Sequence, residues 1–139
     1  MLHKILETVF SPEDLGASVR QAVAAGLLSA SEAAQEERFL SEAISQVADR
    51  GWFLADHSRI LDEREILSPA GNTYGAYRPD RVILKSDGVE IVDYKFGAKD
   101  PKYLRQIAGY ARLYRKLGYR NVKAFLWYVE SGEIIPEGE

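Results

Sequence analysis

The segment Val122 to Val129 constrains the fold most, because it is apolar on both of its faces. A strand of this kind belongs inside a sheet that is covered on both sides. Just before it, apolar residues recur at alternating spacings of four and three between Lys102 and Leu117, which predicts a helix that Gly118 ends. We therefore expect an α/β layer in which this helix leads into a buried strand.

The first half of the chain is typical of helices, over roughly residues 1–50. Apolar residues from Leu2 to Val9 follow helical spacing, and Ser11-Pro12 predicts the start of a second helix that runs to about Gly26. Ser29 with Glu32 has the pattern of a capping box, and the helix that it opens is expected to end at Gly51.

The periodicity changes after Trp52, where three short β-rich runs follow one another. They are Glu65–Leu67, Arg81–Leu84 and Val89–Val92, and the pair Asp87-Gly88 between the last two is a strong hairpin signal. We therefore predict three antiparallel strands ahead of the helix and the final strand.

Length and composition exclude several classes of protein. The chain has 139 residues, of which 46% are hydrophobic and 28% charged, which fits one folded domain over residues 1–139 rather than a tandem or disordered chain. It has no cysteine, so disulfides, thiolate metal sites and iron–sulfur clusters are excluded. No signal peptide or membrane-spanning run is evident, so we expect a cytoplasmic protein without a membrane partner.

Charge is distributed unevenly along the chain. Between Lys95 and Lys123 nine basic residues accompany a single acid, Asp100, for a local charge of +8. Such a segment is typical of a surface that binds a polyanion. The alternative is a solvated helix face with no partner, and charge alone does not separate the two.

Two charged groups of residues flank the predicted hairpin. If Asp87-Gly88 forms the two-residue turn, Asp80 lies opposite Lys95, and Lys85 lies opposite Glu90. Asp80, Asp93 and Lys95 then share one face of the sheet, because side chains alternate along a strand. Two carboxylates and an amine are therefore expected to converge.

Such a cluster suits metal-dependent phosphodiester cleavage. Two carboxylates supply hard oxygen ligands for Mg²⁺ or Mn²⁺, and the lysine can orient the attacking water or contact the phosphate. The alternative is a structural ion pair between Asp80 and Lys95 at the end of the sheet, with Asp93 solvated.

These residues resemble the PD-(D/E)xK nuclease superfamily, with Arg78-Pro79-Asp80 as the first half-motif and Asp93-Tyr94-Lys95 as the second. Within it the chain is most similar to the RecB-type nuclease domain at the carboxyl end of AddA and RecB helicase–nucleases. That family also carries a Q-x-x-x-Y motif, here Gln106 to Tyr110. The resemblance implies a restriction-endonuclease-like α/β fold: helices, a three-stranded antiparallel meander, a helix and a further strand, in a mixed sheet covered by helices.

The resemblance also implies roles for individual residues. Asp80 and Asp93 are expected to bind the metal together with His3 and the Tyr94 carbonyl, while Lys95 assists the attacking water. A histidine at position three is, from the residues alone, more often simply exposed. Glu65 is expected at most as an auxiliary acid, and Glu63, on the same face of its predicted strand, is an equal candidate.

A further set of residues is expected to contact DNA. Gln106 and Tyr110 share a helix face beside the metal site, although the Tyr110 ring also fits a core position. The other expected contacts are basic residues: Arg78, Arg105, Arg112 and Lys116.

The resemblance implies the function of a magnesium-dependent deoxyribonuclease, of exonuclease type, that processes single-stranded or duplex DNA ends in recombination or repair. No phosphate-binding loop is present, so the domain is expected to bind no nucleotide, and a helicase is expected in the same longer chain or on a partner subunit. The alternatives are an inactive nuclease-like domain that only binds DNA or assists assembly, and a structural α/β module without a nucleic-acid partner.

Overall fold

The computed structural model of the chain describes residues 2–53, 60–61 and 79–138. The chain divides into two compact units, Met1–His57 and Ser58–Glu139. The predicted strand at Glu65–Leu67 lies outside the described residues. None of the helices in the described part has the length and apolar character that crossing a membrane requires.

The first unit is helical, as predicted. Its helices are α1 (Leu2–Glu7), α2 (Leu15–Ala24) and α3 (Ala30–Gln46), with short 3₁₀ turns at Pro12–Asp14 and Ala48–Arg50. Helix α2 packs against both α1 and α3. The helix predicted from Ser11 to Gly26 thus begins as a 3₁₀ turn, and the Asp14 carboxylate accepts hydrogen bonds from the backbone N–H groups of Phe10 and Ser11.

The start of α3 shows how the local sequence determines a helix boundary. The Ser29 hydroxyl accepts a hydrogen bond from the Glu32 backbone N–H at 3.3 Å, which satisfies one of the free donors of the first turn. The Glu32 carboxylate in turn accepts from the Ser29 hydroxyl at 2.5 Å. The predicted Ser29 cap is therefore confirmed.

The second unit contains a five-stranded mixed sheet. The strands are β1 (Ile60–Leu61), β2 (Arg81–Lys85), β3 (Gly88–Lys95), β4 (Val122–Tyr128) and β5 (Glu133–Pro136), in that spatial order. Strands β1 to β3 form an antiparallel meander, β4 is parallel to β3, and β5 is antiparallel to β4. The predicted order of helices, meander, helix and strand is confirmed, and β5 is an addition that the sequence analysis missed.

Helix α4 (Pro101–Lys116) makes the crossover between the two parallel strands. The Asp100 side chain caps its first turn by accepting from the Lys102 backbone N–H at 2.9 Å, and Gly118, with φ of 100°, follows its end as predicted. The helix packs on β3 and β4, and its buried side chains form one core with alternate residues of the sheet. Those residues are Ile107, Tyr110, Ala111 and Tyr114 on the helix and Val82, Val89, Ile91, Val122, Ala124, Leu126 and Tyr128 on the strands.

The predicted position of the hairpin turn is wrong by one residue along the chain. Lys85 pairs with Gly88, so Ser86 and Asp87 form the turn, and Gly88 is the first residue of β3. Gly88 allows the backbone of Asn121 to approach closely and is not part of the turn. A Cβ at position 88 would lie 2.6 Å from the Asn121 carbonyl oxygen. The correction moves partners by two residues and leaves every side chain on its predicted face.

The register also changes how one predicted ion pair forms. Lys85 and Glu90 are not directly opposite, since Glu90 pairs with Ile83. Their side chains nevertheless lie 3.9 Å apart, between the Lys85 Nζ and a Glu90 carboxylate oxygen, as diagonal neighbours on the two strands.

Candidate active site

The two carboxylates of the candidate site lie opposite each other at the open end of the β2–β3 hairpin. The ladder ends at the pair Arg81 and Val92, and one further step places Asp80 opposite Asp93 instead of opposite Lys95. The Asp80 backbone N–H donates to Asp93 Oδ1 at 3.0 Å, and the Tyr94 N–H donates to Asp80 Oδ2 at 2.8 Å. The structure therefore brings both predicted carboxylates together.

The third predicted residue, Lys95, lies beside this pair. Its Nζ is 3.3 Å from Asp93 Oδ2, and its side chain is mostly buried. The ion pair predicted as the structural alternative, between Lys95 and Asp80, is thus replaced by one with Asp93. The predicted convergence of two carboxylates and an amine on one face of the sheet is observed.

Gln106 and Tyr110 continue this network on α4. Lys95 Nζ donates to Gln106 Oε1 at 3.1 Å, and Gln106 Nε2 donates to the Tyr110 hydroxyl at 3.2 Å. Tyr110 is 5% exposed and belongs to the core between α4 and the sheet. The amide of Gln106 is oriented by Tyr110 so that its oxygen faces the lysine, and the predicted contact of both residues with DNA stays a prediction.

The sequence analysis missed one neighbour of the lysine, the ring of Tyr103. Lys95 Nζ lies 4.2 Å from the centre of that ring, within the range of a cation–π interaction. Tyr103 precedes Gln106 by three residues on α4, so the two share a helix face. Helical spacing from Gln106 was the signal that could have found it.

Burial and charge act together on Asp93, which is only 3% exposed. Burial, followed by the neighbouring Asp80 carboxylate, raises the pKa of Asp93 from 3.8 to about 7, although Lys95 and the hydrogen bonds act in the opposite direction. Burial and the charges of Asp93 and Asp80 likewise raise the pKa of Tyr110, which keeps its hydroxyl protonated. Asp93 is therefore hard to ionise in the metal-free protein, chiefly because it is buried.

This shift predicts an unusual pH dependence of stability for the metal-free protein. The folded state holds the Asp93 proton more tightly than the unfolded chain does, so deprotonation favours unfolding. The free energy of unfolding is expected to fall as the pH rises from 3.8 towards about 7, and to level off above that value. Thermal unfolding in a chelating buffer, between about pH 5 and pH 8, measures it.

Asp93→Asn supplies the control for this measurement, because it keeps the side-chain shape and removes the titrating group. The difference in stability between the wild type and this variant isolates Asp93 from Asp80, Lys95 and the remaining acids. If both proteins show the same pH profile, the assignment of the shift to Asp93 is wrong.

The residues present fit a divalent metal ion. Carboxylate oxygens are the ligands that Mg²⁺ and Mn²⁺ prefer, and two of these groups meet here, one of them buried and hard to ionise. A buried carboxylate that resists ionisation becomes ionised when a cation binds, because metal ligands must be deprotonated. Asp80 and Asp93 are the residues that would hold the ion.

The predicted DNA-contacting basic residues of α4 form a stripe on its outer side. Arg105, Arg112 and Lys116 are exposed and lie within about 40° of one another around the helix axis, at about 100° per residue. Buried Tyr114 lies on the opposite side, facing the sheet. This α4 stripe is thus turned away from the core, on the surface available to a partner.

Ion pairs between described residues neutralise part of the basic segment but not the α4 stripe. Lys99 lies 2.5 Å from a Glu133 carboxylate oxygen, and Arg115 lies 3.2 Å from one of Glu137. Among the described residues no ion pair involves five of the nine basic residues. These five are Arg105, Arg112, Lys116, Arg120 and Lys123.

The remaining predicted site residues either lie on other elements or fall outside the described residues. His3 lies on α1 in the first unit, with Nδ1 3.6 Å from a Glu7 carboxylate oxygen. The Tyr94 side chain lies on the sheet face opposite to Asp93, and only its backbone faces Asp80. Glu65 and Arg78, together with Glu63, lie outside the described residues, so their roles stay predictions.

Comparison with known families yields one result that covers the whole chain. The model of the PD-(D/E)XK nuclease superfamily matches residues 1–139. No curated protein matches the sequence. The family match agrees with the order of elements and with the pair of carboxylates and the lysine described above.

Proposed function

Since the chain belongs to the PD-(D/E)XK nuclease superfamily, we propose that it is a deoxyribonuclease that depends on Mg²⁺ or Mn²⁺. One observation carries this proposal: Asp80, Asp93 and Lys95 converge on one face of the sheet, linked by contacts of 3.0 and 3.3 Å. An inactive relative that only binds DNA has no need of a complete set of this kind. The intact set therefore favours catalysis over a binding or assembly role.

The proposed roles follow from the positions of the side chains. Asp80 and Asp93 hold the metal ion, and the Tyr94 carbonyl is a further candidate ligand, since the N–H and C=O of a strand residue point to the same side and this N–H faces Asp80. A bound divalent ion lowers the pKa of a coordinated water and neutralises charge on the phosphate. His3 stays a candidate ligand on the family resemblance.

Lys95 is proposed to act on the attacking water or on the phosphate. Its Nζ is held between Asp93 Oδ2 and Gln106 Oε1, and the Tyr103 ring covers one side of it. This arrangement limits the positions of the ammonium group before any substrate arrives. A preorganised donor aimed at developing charge is worth more than a flexible one, because no reorganisation is needed during the reaction.

The finer proposal concerns the biological setting. On the resemblance of the Arg78–Asp80, Asp93–Lys95 and Gln106–Tyr110 motifs to RecB-type domains, we propose exonuclease-type processing of DNA ends in recombination or repair, in association with a helicase. The second candidate, an inactive DNA-binding or assembly module, keeps the DNA surface without the chemistry.

End-labelled single-stranded and duplex DNA, incubated with Mg²⁺, Mn²⁺ or EDTA, tests the proposal. We expect shortened products with either metal and none with EDTA. Without a metal ion, the carboxylates can neither activate the attacking water nor neutralise negative charge on the phosphate. Internally labelled circular DNA distinguishes an exonuclease, which spares it, from an endonuclease. Binding without cleavage under every metal condition would favour the inactive alternative.

The α4 stripe leads to a separate prediction about DNA affinity. Changing Arg105, Arg112 and Lys116 to glutamine is expected to weaken binding equally for all sequences, and to flatten the salt dependence by about one unit of log–log slope for each phosphate that is no longer neutralised. The reason is that such a phosphate keeps its condensed counterions when the protein binds. The measurement is a salt titration of DNA affinity in Ca²⁺, which fills an oxygen site with little cleavage.

A matched control separates this effect from the change in net charge. Lys4, Arg20 and Arg38 are exposed basic residues of the first unit, and their replacement by glutamine removes the same three charges. The wild-type slope should persist in that variant. Equal slopes in all three proteins would mean that the α4 stripe is only solvated.

A further inference from the structure

A row of three buried side chains crosses the sheet directly behind the carboxylates. Arg81, Tyr94 and Trp127 lie on β2, β3 and β4, on the face opposite to α4, and they are 3%, 1% and 0% exposed. Arg81 Nε donates a hydrogen bond to the Tyr94 hydroxyl. Tyr94 pairs with Trp127 in the ladder, and their rings meet edge to face at 5.7 Å. The row thus ties three neighbouring strands together.

Burial of an arginine at this point needs an explanation. A guanidinium group is costly to remove from water unless it is hydrogen-bonded. Ile83, two residues further along β2 on the same face, is buried as well, but it has an aliphatic side chain that carries no such cost. Arginine differs from an aliphatic residue in having fixed, directional donors. One of these donors, Nε, is used in the hydrogen bond to Tyr94 on β3.

The end of the β2–β3 ladder is where such a bond has most effect. Arg81 is the first residue of β2 and forms the terminal pair of the ladder with Val92, so Asp80 lies one residue beyond the backbone pairing. The preceding residue is Pro79, which has no N–H to extend the ladder. The position of Asp80 therefore depends on side-chain contacts.

Tyr94 provides contacts on both sides of this strand end. Its backbone N–H donates to Asp80 Oδ2 at 2.8 Å, and its hydroxyl accepts from Arg81, the next residue of β2. One residue of β3 thus binds both Arg81, the first residue of β2, and Asp80, which precedes it. If the hydrogen bond from Arg81 to the Tyr94 hydroxyl is lost, the contact between the Tyr94 N–H and the Asp80 carboxylate must hold Asp80 without it.

We propose that Arg81 and the Tyr94 side chain are a positioning pair, which holds the end of β2 against β3 so that the Asp80 carboxylate stays beside Asp93. The pair contacts neither substrate nor metal and acts through the position of Asp80. The proposal rests on the metal-binding role of Asp80 and Asp93 given above. It adds two side chains that the nuclease motifs do not assign to the site.

Tyr94→Phe tests the pair, because it removes only the hydroxyl and keeps the ring against Trp127. The first readout is hydrogen exchange of the backbone amide of residue 94, which donates to Asp80 and needs neither metal nor activity. The second is Mn²⁺ affinity, measured by calorimetry. We expect exchange of this amide to accelerate relative to the most protected amides, and Mn²⁺ affinity to fall by about 10-fold or more, as for residues that orient metal ligands.

Ile83→Val is the matched control, since it perturbs the same face of β2 and leaves the Arg81–Tyr94 bond in place. It should leave exchange at residue 94 and Mn²⁺ affinity close to wild type. Arg81→Lys, which keeps a cationic donor, should retain more Mn²⁺ affinity than Arg81→Met. If Arg81→Met fails to fold, the comparison of Tyr94→Phe with Ile83→Val still decides.

The proposal is overturned if Tyr94→Phe and Ile83→Val have the same exchange at residue 94 and the same Mn²⁺ affinity, since the pair would then only add stability. Failure of the nuclease proposal gives a different result. In that case the wild type does not cleave DNA under any metal condition, while the exchange measurement still reports whether the pair holds Asp80.

Discussion

Replacing Asp80 or Asp93 with alanine is expected to lower the rate of metal-dependent DNA cleavage by about 1000-fold or more, since a metal ion supplies several kcal/mol of transition-state stabilisation. In the proposed site each carboxylate provides part of a ligand set that the other cannot complete. The fold should persist, because both residues lie at the open end of the hairpin, beyond or beside the apolar core. Single-turnover cleavage of end-labelled DNA measures the rate, and circular dichroism monitors the fold.

Two further variants sharpen this test. Asp87→Ala removes a carboxylate from the exposed turn at the other end of the same hairpin, and it should cleave DNA at the wild-type rate. Asp93→Asn keeps an oxygen that can accept from the Asp80 N–H while it removes the charge, so it should remain folded and inactive. Full activity in Asp80→Ala or Asp93→Ala would refute the assignment of the metal site.

Lys95→Ala is expected to reduce the turnover number by about 100-fold or more while metal affinity changes far less, because the deleted group is proposed to act on charge that develops in the transition state. Lys95 Nζ already accompanies Asp93, so a small change in Mn²⁺ affinity is expected from the altered electrostatics alone. The two effects are separated by measuring the turnover number at saturating Mn²⁺ and the Mn²⁺ dissociation constant by calorimetry.

Lys99→Ala is the appropriate control for this variant. Lys99 is exposed, lies four residues further along the chain and pairs with Glu133, so its loss removes the same charge without touching the carboxylates. It should turn over at the wild-type rate. If Lys95→Ala instead loses metal binding and cleaves normally once metal is bound, Lys95 has a structural role.

Gln106 on α4 links Lys95 on β3 to this helix. The Gln106 oxygen accepts from Lys95, and its nitrogen donates to Tyr110 in the core. Movement of α4 relative to β3 would therefore be transmitted to the lysine. The site depends on the packing of this helix as well as on the strands that carry its charged residues.

The sequence was sufficient to predict the α/β order, the two-face burial of β4 and the clustering of Asp80, Asp93 and Lys95. These features follow from periodicity: alternation along a strand is local, and a register error of two residues does not change the face on which a side chain lies. The same insensitivity explains why the face was right although the partner of Asp80 was wrong. The predicted helix cap at Ser29 is likewise local, because donor and acceptor lie within three residues of each other.

Tertiary structure alone decided the features that depend on contacts between distant segments. Gly88 belongs to the strand instead of the turn because the Asn121 backbone approaches it, and no pattern near position 88 contains that information. The raised pKa of Asp93 depends on burial by the folded chain, and the bond from Arg81 to Tyr94 joins residues 13 positions apart. Sequence patterns thus determined which residues share a face. The partners and the charge of these residues were determined by the free energy of packing and desolvation, which exists only in the folded chain.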